Sequence, residues 1–180
     1  PDQRYRLGQI LGSTWLSYTE ITTPQTVQLI FNTTYGLSNV YKVTPLTQGA
    51  YPTDYILIEN RQVGTGTKWN RFIHNYPDED GLLIWRLNES TRDLIEADLT
   101  YSLHWTQHPT LSVATTERGD AFPGSGGKTY LTDYSTPSIK TISDGRTNIQ
   151  ISNISPSGSG LTTTMTASIA NCRFGDLPEN

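Results

Sequence analysis

The sequence predicts an all-β protein, a mostly antiparallel β-sandwich with at most one short helix. Apolar and polar residues alternate with period two in segments rich in Ile, Val, Tyr, Trp and Thr, which is the pattern of half-buried strands. Clusters of Gly, Pro, Asn and Asp separate these segments, as turns require. Two short runs are apolar on both faces, which marks strands covered on both sides. With 180 residues the chain can bury one substantial core. One sandwich-like domain is expected over residues 1–172, followed by a polar tail at 173–180.

Taken in chain order, residues 26–31 place Val27, Leu29 and Phe31 on one face. Tyr55-Ile56-Leu57-Ile58 and Leu82-Leu83-Ile84-Trp85-Arg86-Leu87 are the two doubly apolar runs and are expected to be central strands. Ser90-Thr91-Arg92-Asp93 has the form of a capping box, and Leu94, Ile95 and Leu99 suit one or two helical turns after it. Residues 128–132 read as a strand after the flexible Gly124-Ser125-Gly126-Gly127 loop. Asp144-Gly145 suits a tight hairpin between strand-like 139–142 and 148–151. In residues 161–169, Leu161, Thr163, Met165, Ala167 and Ile169 share a face, and the Ser/Gly-rich stretch 155–160 joins the last two strands.

Composition excludes several function classes. The net charge is −4 and the 13 basic residues are scattered, so no surface for nucleic acid is expected. The longest apolar run, Gly81-Leu82-Leu83-Ile84-Trp85, is too short to span a bilayer. A single cysteine, Cys172, excludes an internal disulfide framework and reads as a small hydrophobe or an unpaired tail thiol. His104 and His108 are four apart, but Trp105 stands where a zinc peptidase needs a carboxylate, and Pro109 ends any helix; they read as ordinary loop or strand histidines, as does His74. No nucleophile elbow, phosphate loop or dinucleotide fingerprint occurs, so the chain is expected to have no catalytic activity of its own.

Two acidic groups offer hard oxygen ligands. Asp78-Glu79-Asp80, between Pro77 and Gly81, reads as a solvated turn. Glu96 and Asp98 become a calcium site if Asp120 is brought near them in space, the alternative being solvated carboxylates. Among the aromatic residues Trp69, Tyr76, Trp85 and Trp105, Trp85 lies in the most apolar strand and belongs to the core. Trp69, between Lys68 and Asn70, is the candidate platform for stacking a sugar or another surface ligand.

Asp54-Tyr55-Ile56-Leu57-Ile58-Glu59-Asn60-Arg61-Gln62 resembles the Glu-Tyr-Phe-Leu-x-Glu-Asn-Arg-Gln segment that follows the catalytic domain in immune inhibitor A-like secreted metallopeptidases. The resemblance continues in order through Gly81-Leu82-Leu83-Ile84-Trp85, Ile95-Glu96-Ala97-Asp98, Gly119-Asp120-Ala121-Phe122-Pro123-Gly124, Thr132-Asp133, Ser135-Thr136-Pro137 and Ile151-Ser152-Asn153-Ile154-Ser155. Upstream, Arg6-Leu7-Gly8 and Glu20-Ile21-Thr22 look like the approach to that region, so the resemblance covers most of residues 5–169. It implies a secreted or extracellular, non-catalytic accessory domain that packs on or positions catalytic or other domains of the same parent protein. The family's zinc-binding His-Glu-x-x-His helix is not in this sequence, and Arg86-Leu87-Asn88 replaces the family's His-Val-Asp. Asp98 and Asp120 match the family pattern, which adds weight to calcium there. Glu59, Asn60 and Arg61 are expected to form a structural polar network, since charges leaving a buried strand need partners. The alternative to the accessory role is an extracellular carbohydrate- or surface-binding sandwich module.

Overall fold

The computed structural model describes residues 18–32, 37–45, 54–62, 80–88, 92–98, 119–124, 126–140, 145–156 and 162–171. These form strands β1 (Tyr18–Ile21), β2 (Gln25–Asn32), β3 (Leu37–Ser38), β4 (Val40–Val43), β5 (Tyr55–Arg61), β6 (Gly81–Leu87), β7 (Arg92–Leu94), β8 (Ile149–Ser152) and β9 (Thr162–Asn171). One sheet has the order β1-β4-β5-β6-β7, the other β3-β2-β9-β8. All neighbours are antiparallel except β1 and β4, which run parallel from Tyr18↔Val40 to Ile21↔Val43. The fold is thus an all-β, sandwich-like pair of sheets, as the alternation predicts.

The core follows from the pleat. Ile56, Ile58, Leu82 and Ile84 project from the five-stranded sheet, and Val27, Leu29, Met165, Ala167, Ile169, Ile149 and Ile151 from the four-stranded sheet; all belong to one buried cluster. The two doubly apolar runs are β5 and β6, paired from Tyr55↔Leu87 to Arg61↔Gly81 in the middle of their sheet. Their second face carries a separate cluster of Val40, Leu57 and Leu87, with Tyr18, Tyr55 and Trp85 packed against it. Lys42 lies on this face with its ammonium 5.1 Å from the Tyr18 ring and 5.0 Å from that of Tyr55, a cation–π pair that lets a charge sit in aromatic surroundings.

Side chains tie the sheets together where the backbone cannot. β3 is only two residues long, and among the described residues no other strand pairs with that edge of β2. Asn39, at the point where the chain leaves one sheet for the other, accepts from Ile30 N (2.6 Å) and donates to Gln28 O (2.8 Å), its amide acting as one more peptide group of a strand. The Tyr41 hydroxyl donates to the same carbonyl at 3.2 Å.

Two expectations are corrected. Residues 92–94 are strand rather than helix: Asp93 faces Arg86 and forms an ion pair with it, Leu94 faces Trp85, and Ile95 N donates to Ile84 O. These partners outweigh a local signal worth little in so short a segment. Of the hairpin expected at Asp144-Gly145, residues 141–144 lie outside the described residues; residues 139 and 140 are in no strand, and β8 pairs with β9. Residues 128–132 contribute only an isolated bridge, Leu131↔Ile151.

Candidate metal centre

Two irregular segments meet against β6. Ile95 N donates to Ile84 O (2.9 Å), which continues the β7 pairing, and Ala97 N donates to Asp120 O (2.9 Å). Leu82 and Phe122 exchange both backbone hydrogen bonds, at 2.8 and 2.9 Å. Ile95, Ala97, Ala121 and Phe122 are buried, so packing as well as hydrogen bonding anchors these segments. The first alternates apolar with acidic residues and the second carries Asp120 ahead of Ala121 and Phe122, and their pairing brings Glu96, Asp98 and Asp120 together.

The three side chains each offer a carboxylate oxygen, all within 4.8 Å of one another. Glu96 and Asp120 are buried and Asp98 is partly exposed. Oxygens around one calcium ion, each about 2.3–2.6 Å from it, are separated by this order of distance. Three carboxylates in so small a space repel one another in low dielectric, and a divalent cation offsets that repulsion. The all-oxygen set suits calcium or magnesium rather than zinc or copper.

Glycine makes the approach possible. Gly119 has φ +112°, and a Cβ there would lie 2.8 Å from Asp98 Oδ2 and 3.1 Å from Asp98 Cβ. At Gly81, a Cβ would lie 2.7 Å from Phe122 O, inside the pairing that holds Asp120 in place. No family model, curated protein or solved structure matches the chain. The family resemblance therefore rests on its own ordered motifs.

The other expected site residues are placed as follows. Asn60 is fully buried between the sheets, donating to Leu29 O at 2.9 Å and accepting from Gln62 Nε2 at 2.9 Å. Glu59, one residue away, lies on the opposite face, where its Oε1 is buried. The side chain of Arg61, and Trp69, Tyr76, Trp105, His74, His104, His108, Asp78, Glu79 and Cys172, lie outside the described residues, as does the tail 173–180. Asp80 is exposed. Among the described residues no helix is long and apolar enough to cross a membrane.

A further buried carboxylate went unanticipated from the sequence. Asp133 accepts from Thr147 N (2.9 and 3.1 Å), Thr147 Oγ1 (2.8 Å) and Asn148 N (2.8 Å). It thereby satisfies the backbone leading into β8, where Asn148 has φ 55°. Asp133 stands in the Thr132-Asp133 motif of the resemblance, but its partners are 14 and 15 residues away and no local pattern names them. Asp54, before β5, is also buried, and desolvation raises its carboxyl above the ordinary 3.8 while a hydrogen bond from Asn88 pulls the other way.

Proposed function

We propose that this chain is a non-catalytic accessory module of an exported protein, a sandwich that supports or positions a neighbouring domain of the same parent and is fastened by calcium at Glu96, Asp98 and Asp120. The observation that carries this reading is the convergence of those three carboxylates from two segments held against β6. They are carried on packed backbone, as a structural ion requires, and their oxygens are of the hard type calcium prefers. The ordered resemblance to the region behind a secreted metallopeptidase domain supports the accessory role.

Thermal unfolding in calcium and in chelator tests the ion. An ion held in the extracellular range, with Kd of about 10⁻⁴ M, stabilises by about 2 kcal/mol when supplied near 50 times Kd. For a chain of this size that raises Tm by roughly 6 °C, and Asp120→Asn should abolish the rise. An unchanged Tm in millimolar calcium would overturn the ion's part of the proposal. Intact mass of the protein from its native source tests the accessory role: a longer product with a His-Glu-x-x-His segment upstream is expected, and a product of these residues alone would refute it.

A further inference from the structure

We infer that the outer face of the four-stranded sheet binds an uncharged polysaccharide chain. The face is defined by the pleat: Val27, Leu29, Met165, Ala167, Ile169, Ile149 and Ile151 point into the core, so their neighbours point out. Thr26, Gln28, Ile30 and Thr164 are exposed, and Thr166, Ser168, Gln150 and Ser152 partly so. No described side chain on this face is charged. Surfaces ordinarily carry about 25–35% charged residues, so eight such positions would ordinarily include two or three.

Register turns these residues into rows. Thr26 stands opposite Ser168, Gln28 opposite Thr166 and Ile30 opposite Thr164, and Ser152 continues the first row on the far side of Ser168. Thr26 Oγ1 and Ser168 Oγ are 3.0 Å apart, so that row is already joined by a hydrogen bond. Along each strand the outward groups repeat every two residues, about 6.6–6.8 Å, and the strands lie about 4.8 Å apart. The result is a grid of hydroxyls and amides, each able both to donate and to accept. The β-branched Thr side chains lose little rotamer freedom on binding, so that part of the grid is organised before a ligand arrives.

The chemistry of the face selects its partner. Among the described residues of this face, anionic polymers find no cation to pair with. A protein interface draws its energy from aromatic and Arg anchors in desolvated pockets, and among the described residues of β2, β8 and β9 this face presents Ile30 alone as a large exposed apolar side chain, with the exposed Tyr130 beside β8. An extended, neutral, hydroxyl-rich chain matches the face in charge and in hydrogen-bonding groups, with Ile30 against the C–H face of a sugar ring. The inference is independent of the calcium site, which lies at the five-stranded sheet.

The test is depletion of the full chain from solution by microcrystalline cellulose, chitin and granular starch, with heparin-agarose as the charged comparison. Retention on at least one neutral polymer is expected. It should be unchanged between about 0.1 and 1 M salt, because no ion pair is screened. Thr164→Glu and Gln28→Lys should each lower retention at least tenfold while leaving Tm within a few degrees, and Tyr134→Ala should leave retention unchanged. If either charged variant unfolds, Gln28→Glu replaces it. The inference is overturned if the wild type is retained on none of the neutral polymers, or if folded variants bind as well as the wild type. It is equally overturned if sedimentation shows a dimer that the variants dissociate, since the face then binds a second copy of this chain.

Discussion

Asn60 Nδ2 donates to the Leu29 carbonyl oxygen at 2.9 Å in the buried space between the sheets, linking β5 directly to β2. A polar side chain in an otherwise apolar layer costs desolvation unless its groups are paired, and here the amide oxygen is paired as well, with Gln62. Asn60→Ala removes both partners' bonds and leaves a buried carbonyl with one acceptor position empty. Urea unfolding should show a loss of about 2 kcal/mol, and a loss under about 0.5 kcal/mol would mean the bond adds nothing beyond packing.

Asp133 should matter more. Asp133→Ala strands two buried backbone N–H groups and the Thr147 hydroxyl, and the expected loss is about 3 kcal/mol. Thr147→Val removes only the hydroxyl bonds and should cost about 1 kcal/mol. Equal losses for the two variants, measured by the same urea titration, would contradict the assigned partners.

Asp54 gives a pH dependence of definite sign. Its folded pKa is raised by burial, so the folded state binds the proton more readily than the unfolded state. The favourable contribution is fully present below the unfolded value near 3.8 and is lost as pH rises through the folded value. Asp54→Asn, which removes the charge and keeps a partner for Asn88, should therefore raise Tm at pH 7, with the gain shrinking towards pH 3. A gain that is constant with pH would show that the carboxyl titrates alike in both states.

Gly119→Ala tests whether backbone shape governs the carboxylate cluster. The new methyl meets Asp98 and the φ of +112° is strained for alanine, together worth about 1–3 kcal/mol. Tm should fall, and the calcium concentration giving half of the stabilisation should rise at least tenfold. A lowered Tm with an unchanged calcium midpoint would separate the strain from the ion.

Much of this architecture is legible in the residue pattern. β5 and β6 announce themselves because burial on both faces leaves no polar alternation to mistake for anything else, and Met165, Ala167 and Ile169 point inward as period two requires. The convergence of Glu96, Asp98 and Asp120 is legible only in part: residue type shows what they could bind, but 22 positions separate Asp98 from Asp120, and among the described residues the Leu82–Phe122 pairing and the Ala97–Asp120 backbone bond close that gap. Residues 92–94 mislead because a capping box is a local preference of a fraction of a kilocalorie per residue, while Arg86 and Trp85 supply cross-strand partners that local reading does not see. The same limit hides Asp133, whose role depends on backbone groups more than a dozen residues away.

The pairing of β2 with β9 has a consequence for how the protein is made. Thr26 and Ser168 are 142 positions apart, yet they are neighbours in the middle of a sheet. A growing chain emerging from the ribosome therefore holds β2 with no long partner until the region around β9 has been synthesised. The sandwich cannot close progressively from its first strands, and closing so long a loop is slow. During that interval Val27 and Leu29 stand open to solvent and to other chains, so the yield of folded protein depends on what shields β2 in the meantime.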